Sequence, residues 1–213
     1  MNRGVRRLRL FDGVGDYLAF LRTLAEAQQQ IELRVLAYCV MPNHFHLVVW
    51  PHEDGVLPRF MRLFTGTHGK RWHGWRKSTG TGSVYQGRYR AFPVQTDDHF
   101  LTVCRYVERN PLRAGLVRRA EDWPWSSLAA RCRNRHIVEL TTWPVLPPSH
   151  WLSVVNGDES AGDVAAIRAA AQRRVPFGDA PWREQTAHRL GLTAGLRPPG
   201  RPVGKTTSGV VST

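Results

Sequence analysis

The sequence predicts an α+β fold of the ferredoxin-like (βαββαβ) type, with helices on one face of an antiparallel sheet. The first observation is the order of the patterned segments, which runs helix, strand, strand, helix, strand, helix. The second is a tight turn between two adjacent strands, which makes them antiparallel neighbours. The third is the length, because 213 residues suffice for one such domain and a modest extension.

The chain opens with a helix and a hairpin. The helix is expected over residues 16–30, where apolar residues recur at helical spacing and Asp12 or Asp16 is available as the N-cap. Two strands follow at 32–41 and 44–50, and both are rich in β-branched and aromatic residues. The Pro-Asn pair between the strands supplies the turn that joins them.

A second helix is expected over residues 57–77, because its apolar residues again recur at helical spacing. Gly66 and Gly69 are candidate interruptions, since glycine weakens a helix interior. Another strand is expected over roughly 84–95. This strand would complete the sheet of the predicted fold.

The third helix is expected to begin at an N-cap formed by Asp97 or Asp98 and to be closed by Pro111. Tyr106 and Asn110 lie four residues apart near its end, so their side chains share one face. Taken singly, Tyr106 is also compatible with an aromatic at the rim of the core, and Asn110 with a helix C-cap.

The composition changes after Trp143, where a proline-rich linker begins. We expect a catalytic body over residues 1–143 and a helical C-terminal extension over 144–196. Two short helices are expected within the extension, at 160–174 and 181–190. Residues 197–213, rich in Pro, Gly, Ser and Thr, are expected to form a basic disordered tail.

Charge and cysteine content narrow the class of protein. Lys and Arg number 30 against 17 Asp and Glu, so the formal net charge of +13 predicts a polyanionic partner. Hydrophobic residues make up 42% of the chain, which is typical of a folded protein rather than a basic tail. Three cysteines are too few for a disulfide framework, and no run of about 18 apolar residues exists. We therefore expect a cytoplasmic nucleic-acid-binding protein with no membrane association.

His44 and His46 are the first candidates for chemistry. They lie two residues apart on a predicted strand, so both imidazoles project from the same face. This arrangement supplies half of a metal site, although a pair of hydrogen-bonded strand histidines has the same spacing.

Four segments extend the pattern around these residues. They are LAYCVMPNHFHLVV (36–49), GSVYQGRYRAFPV (82–94), RYVERNPLRAGLV (105–117) and DWPWSSLAA (122–130). In this order, over roughly residues 11–130, they resemble the HUH single-tyrosine transposases. The resemblance is to the branch of REP-associated tyrosine transposases, which act on palindromic repeats in bacterial genomes. For the fourth segment we also expect a packing role and a helix cap.

The resemblance implies a site and a reaction. His44 and His46 would hold a divalent cation, Mg2+ or Mn2+, Asn110 would complete the protein ligands, and Tyr106 would attack the scissile phosphate. The product would be a 5′-phosphotyrosine and a free 3′-hydroxyl in single-stranded or hairpin DNA. Insertion-sequence relatives act as dimers, whereas the repeat-associated branch is regarded as monomeric, so we expect a monomer with a dimer as the alternative.

A basic segment is the candidate DNA-binding surface. Between residues 59 and 90 there is no Asp or Glu, and aromatic residues are interleaved with cations, a mixture suited to phosphate contact and base stacking. At least two of its aromatics Trp72, Trp75, Tyr85 and Tyr89 are expected in the core. Arg105 and Arg109 flank Tyr106 and are added as candidates. The cations of the segment are Arg59, Arg62, Lys70, Arg71, Arg76, Lys77, Arg88 and Arg90.

Two other functions fit the same residues. A ferredoxin-like sheet can be a non-catalytic nucleic-acid-binding module, in which case Tyr106 forms no covalent bond. A metal-dependent hydrolase would use only the two histidines and water, and cleavage would survive the loss of Tyr106. A covalent adduct between protein and DNA separates these alternatives from a tyrosine transposase.

The resemblance also bears on the first strand. Members of the family begin with a Tyr-His-Val-like strand that leads into an Asn-Arg-Gly turn, and here Asn2-Arg3-Gly4 follows directly on Met1. We therefore expect most of the first strand to lie upstream of this sequence. In the predicted fold, that strand occupies the middle of the sheet and is hydrogen-bonded on both sides.

Overall fold

A three-stranded antiparallel sheet organises the molecule, in a computed structural model that describes residues 1–196. The strands are β1 (Asn2–Arg3), β2 (Arg34–Met41) and β3 (His44–Trp50), in the spatial order β1-β3-β2. The β2–β3 hairpin runs in register from Met41 opposite His44 to Arg34 opposite Trp50, with one irregularity near Val35. The predicted hairpin is thereby confirmed.

The short strand β1 has hydrogen-bonded neighbours on both sides. Asn2 and Arg3 pair with β3 on one side. On the other side the segment 84–90 supplies backbone hydrogen bonds, with Gln86 N–H donating to the Arg3 carbonyl at 2.8 Å. Over these residues β1 therefore lies between β3 and the segment 84–90.

The strand predicted at 84–95 does not form as a regular element, which corrects the sequence interpretation. Only isolated bridges occur there, between Gly4 and Tyr85 and between Val94 and Phe177. The partner β1 offers two residues of edge, and Gly87 adopts a left-handed conformation with φ of 67° that interrupts an extended path. The segment therefore follows β1 without forming a continuous ladder.

Two helices cover one face of the sheet. They are α1 (Val14–Gln30) and α2 (Val56–Arg76), and their apolar faces enclose a cluster of aromatic residues that includes Phe20, Phe45 and Phe64. α2 runs through its glycines without interruption, because burial of this apolar face outweighs their weak helix propensity.

The N-cap of α1 differs from the prediction. Gly13 occupies the cap, and the carboxylate of Asp16 accepts hydrogen bonds from the backbone N–H groups of Asp12 and Gly13. Asp16 thus satisfies free N–H groups at the helix start from within the first turn, rather than as the cap itself.

A second helical layer covers the opposite face, so the prediction of helices on one face is wrong. The helix α3 (Asp98–Glu108) packs on this face against a cluster that contains Leu36, Cys39 and Val48. Seven of the eight residues of β2 are buried, because the strand is apolar on both of its faces. Asp97 caps α3 as predicted, accepting from His99 N–H at 2.8 Å.

Five further helices follow α3 within residues 1–196. Pro111 does not close α3 as predicted but lies in the first turn of the next short helix, a position proline tolerates. Both helices predicted in the extension are present, as α7 (Ala161–Arg173) and α8 (Ala180–Arg189). No helix within residues 1–196 is long and apolar enough to cross a membrane. The predicted tail, 197–213, lies outside the described residues. The bounds are α4 (Asn110–Arg113), α5 (Ser127–Arg133), α6 (Trp151–Asn156), α7 (Ala161–Arg173), α8 (Ala180–Arg189) and the 3-10 turns Val5–Arg7, Ala120–Asp122 and Thr193–Leu196.

Candidate active site

The predicted histidine pair and tyrosine come together between β3 and α3. His44 and His46 project from the same face of β3, with ring centroids 5.0 Å apart. The Tyr106 ring on α3 lies nearly perpendicular to that of His46, with centroids 5.8 Å apart. Strand periodicity and the packing of α3 on this face together place the three side chains in one cluster.

Both imidazoles are neutral near pH 7. Burial lowers the pKa of His44 to about 4, and the positive charge of Arg3 adds to this shift. Burial also holds the pKa of His46 well below its ordinary value, with further contributions from neighbouring positive groups. A neutral imidazole carries the lone pair that a metal requires.

The orientation of His44 is fixed by its neighbour in the turn. Nδ1 of His44 lies 2.7 Å from the side-chain oxygen of Asn43, which accepts a hydrogen bond from the Nδ1–H group. Nε2 is then the nitrogen with a free lone pair. Within residues 1–196, no group of three or more His, Cys, Asp or Glu side chains is arranged to hold a metal ion, so the donors available here are imidazoles and an amide.

Asn110, the predicted third ligand, is buried at the start of α4. Arg109 lies between α3 and α4, and its N–H donates to the Arg105 carbonyl at 2.8 Å, so the helical path continues across the boundary. Asn110 is therefore about one helical turn beyond Tyr106, as the spacing predicted.

An arginine absent from the predicted site contacts the tyrosine directly. The guanidinium of Arg113 lies 4.2 Å from the centroid of the Tyr106 ring. It also donates to the Tyr106 carbonyl at 3.0 Å. Glu159, in the extension, accepts two hydrogen bonds from Arg113 at 2.7 Å each.

The same segment of the extension engages the two arginines that flank Tyr106. Arg105 donates to the carbonyls of Gly157 and Asp158, and Arg109 donates to the carbonyl of Val155 at 2.8 Å. The guanidinium groups therefore face the chain between Val155 and Glu159. Their predicted contact with DNA stays a prediction.

A buried carboxylate anchors the C-terminal end of α3. Glu108 is fully buried and accepts hydrogen bonds from Ser127 and Arg131 at 2.7 Å and from Trp151 at 2.9 Å. Burial raises the pKa of Glu108, while Arg131 and the hydrogen bonds oppose that shift. The carboxylate links the tyrosine-bearing helix to α5 and α6.

The segment 122–130 has the packing and capping role expected for it. Trp123 donates from its indole to the Val40 carbonyl at 2.9 Å, and Ser126 caps α5 by accepting from Ala129 N–H at 3.1 Å. Ser127 Oγ accepts from Tyr38 N–H at 3.0 Å and so ties the start of α5 to β2. These contacts fix the edge of β2.

The predicted DNA-binding cations separate into free and internally paired groups. Arg59, Arg62 and Lys70 line an open cleft of about 490 Å³ beside the C-terminal end of α1. Arg59 also forms an exposed ion pair with Glu53, whereas Lys77 ends α2 in a left-handed conformation. These side chains face solvent on the side of the sheet opposite Tyr106.

Arg71 and Arg76 instead tie α2 to α1. Arg71 pairs with Glu26 at 2.6 Å. Arg76 lies over the Trp72 ring and pairs with Asp16 at 3.0 Å and with Asp12 at 2.8 Å. The charges of both arginines are partly balanced inside the protein.

Arg88 and Arg90 line a second cleft, of about 250 Å³, together with two arginines that the sequence did not single out. Those two are Arg3 of β1 and Arg174 of the extension. The lining contains no acidic residue. Arg3 lies opposite His44 in the sheet register, so this basic cleft adjoins the histidine pair.

The aromatics of the basic segment are mostly structural, as expected. Tyr85 is buried with its hydroxyl 2.7 Å from Nδ1 of His68, and Trp72 donates to the Leu10 carbonyl at 2.8 Å. Tyr89 packs at the edge of the same core. Trp75 is 82% exposed and is the member of the set available for base stacking.

Three comparisons describe what the chain is similar to. The model of the family described as "Transposase IS200 like" matches residues 4–110. No curated protein matches the sequence. A solved structure, of a REP-associated tyrosine transposase bound to a REP hairpin, matches with a TM-score of 0.51 and 18% identity, covering 68% of this chain and 84% of that one. At that identity the structural match supports the fold.

Proposed function

Because the chain belongs to the family of IS200-like transposases, we propose that it nicks and rejoins single-stranded DNA flanked by hairpins, through a covalent bond to Tyr106. The observation that carries the proposal is the cluster of His44, His46 and Tyr106. The Tyr106 ring lies beside the neutral imidazole of His46, which in turn contacts the ring of His44, on the face of the sheet that α3 covers. A nucleophile adjacent to a ligand pair suits metal-assisted phosphoryl transfer to tyrosine.

The proposed step exchanges one phosphodiester for another. The Tyr106 oxygen attacks phosphorus, its proton passes to solvent, and the bond from phosphorus to the 3′ oxygen breaks as that oxygen takes up a proton. The result is a 5′-phosphotyrosine and a free 3′-hydroxyl. An incoming 3′-hydroxyl reverses the step, so the DNA is rejoined without a nucleotide cofactor.

His44 and His46 suit a divalent cation, Mg2+ or Mn2+, with Asn110 as the proposed third ligand. The fit rests on neutral imidazoles and on Asn43, which leaves Nε2 of His44 free. When bound, such a cation would polarise the phosphate and stabilise negative charge in the transition state. Two imidazoles and an amide carry no charge, so the full positive charge of the cation would face the DNA.

The proposed substrate is hairpin-bearing DNA of a repeated palindromic element. The structural relative is described as bound to a REP hairpin, and this chain has its fold. The exposed cations on α2 and the arginine cleft beside His44 supply positive surface on both sides of the sheet. We further propose a cytoplasmic monomer in which residues 1–143 form the catalytic body and 144–196 its extension.

A covalent-adduct assay tests the proposal. The full chain is incubated with Mn2+ and a hairpin oligonucleotide labelled at its 3′ end, the end that stays joined to the protein, and a labelled protein band that survives denaturation is expected. A binding module would give a shift in a native gel without this band, and a metal-dependent hydrolase would give cleaved DNA without it. Either result would reject the tyrosine mechanism.

A further inference from the structure

The Tyr106 ring is held on two sides. His46 lies perpendicular to it across the sheet, and the Arg113 guanidinium lies 4.2 Å from its centroid. Arg113 also donates to the Tyr106 carbonyl, so it contacts both the ring and the backbone of the same residue. A planar guanidinium suits this double role, because it stacks and donates at the same time.

Arg113 is itself fixed by the extension. Both oxygens of the Glu159 carboxylate accept from it at 2.7 Å, and the Glu159 side chain is 10% exposed. This fork-to-fork geometry fixes the orientation of the guanidinium as well as its position. Two of its three nitrogens are used, and it is held by a carboxylate that also lies 3.7 Å from Nε of Arg109, so Arg113 is poorly placed to bind a DNA phosphate.

Glu159 is held in a segment that is anchored by the neighbouring arginines. The carbonyls of Val155, Gly157 and Asp158 accept hydrogen bonds from Arg109 and Arg105, which lie on the same helical path as Tyr106. The segment 155–159 thus runs along three arginines, two of which flank the tyrosine while the third stacks on it.

We propose that Arg113 is a positioning residue for Tyr106 and that Glu159 acts on the tyrosine through Arg113. The inference rests on the proposed function, because it assigns the extension a part in the tyrosine reaction. Without the Glu159–Arg113 pair, the Tyr106 ring can rotate away from the orientation in which it faces His46. Misplacement of a reacting group by about 1 Å costs on the order of a hundredfold in rate.

The test compares single-turnover rates of adduct formation at saturating hairpin oligonucleotide and Mn2+. Arg113→Met and Glu159→Gln should each lower the rate by about ten- to a hundredfold and change DNA affinity by less than about threefold. Arg113→Lys should also be slow, because it restores charge without the planar fork. Full rescue by Lys would mean that only charge matters, and positioning would be rejected.

A double mutant separates action through Arg113 from independent action. If Glu159 acts through Arg113, adding Glu159→Gln to Arg113→Met lowers the rate no further. A multiplicative loss would overturn the proposal.

Arg34→Met is the matched control, because Arg34 is also stacked on an aromatic ring, 4.5 Å from the Trp50 centroid, at the far end of the hairpin. Its rate should equal that of the wild type.

A 19F NMR measurement tests the position of the Tyr106 ring without relying on DNA cleavage. The chain has five tyrosines, so protein labelled with 3-fluorotyrosine carries five labelled rings. The 19F signal of Tyr106 is identified as the one that is missing from the Tyr106→Phe variant. This signal should move or broaden in Arg113→Met and in Glu159→Gln but not in Arg34→Met, with thermal melting confirming that each variant is folded. An unchanged signal in both would overturn the proposal. If the wild type forms no Tyr106-dependent adduct, the proposed function is rejected. The 19F spectra still show in that case whether Arg113 holds the Tyr106 ring.

Discussion

The Tyr106 ring stands perpendicular to that of His46, with the two centroids 5.8 Å apart, although 60 residues separate them in the chain. β3 and α3 bring them together because both elements bury apolar side chains in the same interface. Removal of the Tyr106 oxygen and removal of the imidazoles test the two sides of this contact separately.

Tyr106→Phe should abolish covalent attachment to DNA and leave hairpin affinity within about threefold, because only the nucleophilic oxygen is removed. Phenylalanine can still pack its ring against His46 and Arg113. Adduct formation is measured with labelled oligonucleotide and affinity by titration. An adduct formed by the Phe variant would place the nucleophile elsewhere.

Replacing His44 and His46 together by Ala should remove cleavage and preserve binding. The pair serves the proposed cation, whereas most affinity should come from phosphate contacts elsewhere. The measurement is cleavage with and without Mn2+ and with a chelator. Cleavage by the double variant in the presence of chelator would contradict the metal assignment.

Binding should weaken steeply with salt, and the free cations of α2 should carry that dependence. Arg62, Lys70 and Lys77 face solvent without an ion pair among the described residues, whereas Arg71 and Arg76 are paired with α1 carboxylates. Replacing the first three by Ala should lower the slope of log affinity against log salt by about 0.7 to 0.9 for each DNA phosphate that the variant no longer neutralises.

An arginine that is already ion-paired serves as the control for the unpaired cations. Arg71→Ala should change the slope less than Lys70→Ala, since Glu26 already balances part of the Arg71 charge. Slopes come from titrations of a labelled hairpin at several salt concentrations. An unchanged slope in the triple variant would move the DNA surface away from this helix.

Stability should fall as pH drops from neutrality, with His68 as one cause. Burial lowers the pKa of His68 to about 4, below its ordinary value of 6.5. The unfolded chain therefore takes up the proton first, so this contribution is fully present above about pH 6.5 and is lost as pH falls towards 4. The free energy of unfolding, measured with urea from pH 7 to 5, should fall more steeply in wild type than in His68→Gln.

Burial lowers the pKa of the two histidines of the site as well, so their protonation is also coupled to unfolding and the comparison needs a common background. His44 and His46 have lowered pKa values for the same reason, burial. Introducing His68→Gln into the His44→Ala, His46→Ala double variant should flatten the remaining pH dependence. Equal slopes with and without His68 would show that its protonation is not coupled to unfolding.

Local patterns predicted most of the elements and the histidine pair of the site, but not the irregular path of the segment 84–95. Strand periodicity placed His44 and His46 on one face, and helical spacing put Tyr106 and Asn110 on another. The first is confirmed because it depends on residues within one strand, whereas Tyr106 and Asn110 lie in α3 and α4, and their shared face stays a prediction. The helices on both faces of the sheet were missed, although the unbroken apolar run of β2 is typical of a strand buried on both sides.

Local patterns could not predict which side chains surround Tyr106. Arg113 and Glu159 lie 46 residues apart, and no spacing rule joins a helix to a loop in a later extension. Glu108 carried no signal either, since a carboxylate in an amphipathic helix is ordinarily solvated. Their roles follow from tertiary packing, which one sequence does not encode locally.

The Glu108–Arg131 pair gives the last prediction. Glu108 is fully buried, and Arg131 pairs with it at 2.7 Å while stacking 4.7 Å from the Trp143 centroid and donating to the Leu36 carbonyl. Arg131→Met should lower the free energy of unfolding by about 3 to 5 kcal/mol, because it leaves an uncompensated carboxylate in the interior. Ser127 and Trp151 would remain as hydrogen-bond donors but cannot supply the missing charge.

Adding Glu108→Gln to Arg131→Met should recover part of that loss, because the neutral amide no longer needs a cation. Glu108→Gln alone should also be destabilising, since it leaves the Arg131 charge facing an uncharged partner. Urea unfolding of the four proteins at pH 7 gives the coupling energy directly. If the two single losses simply add in the double variant, the residues are not coupled, and the buried carboxylate is not what binds α5 to the helix that carries Tyr106.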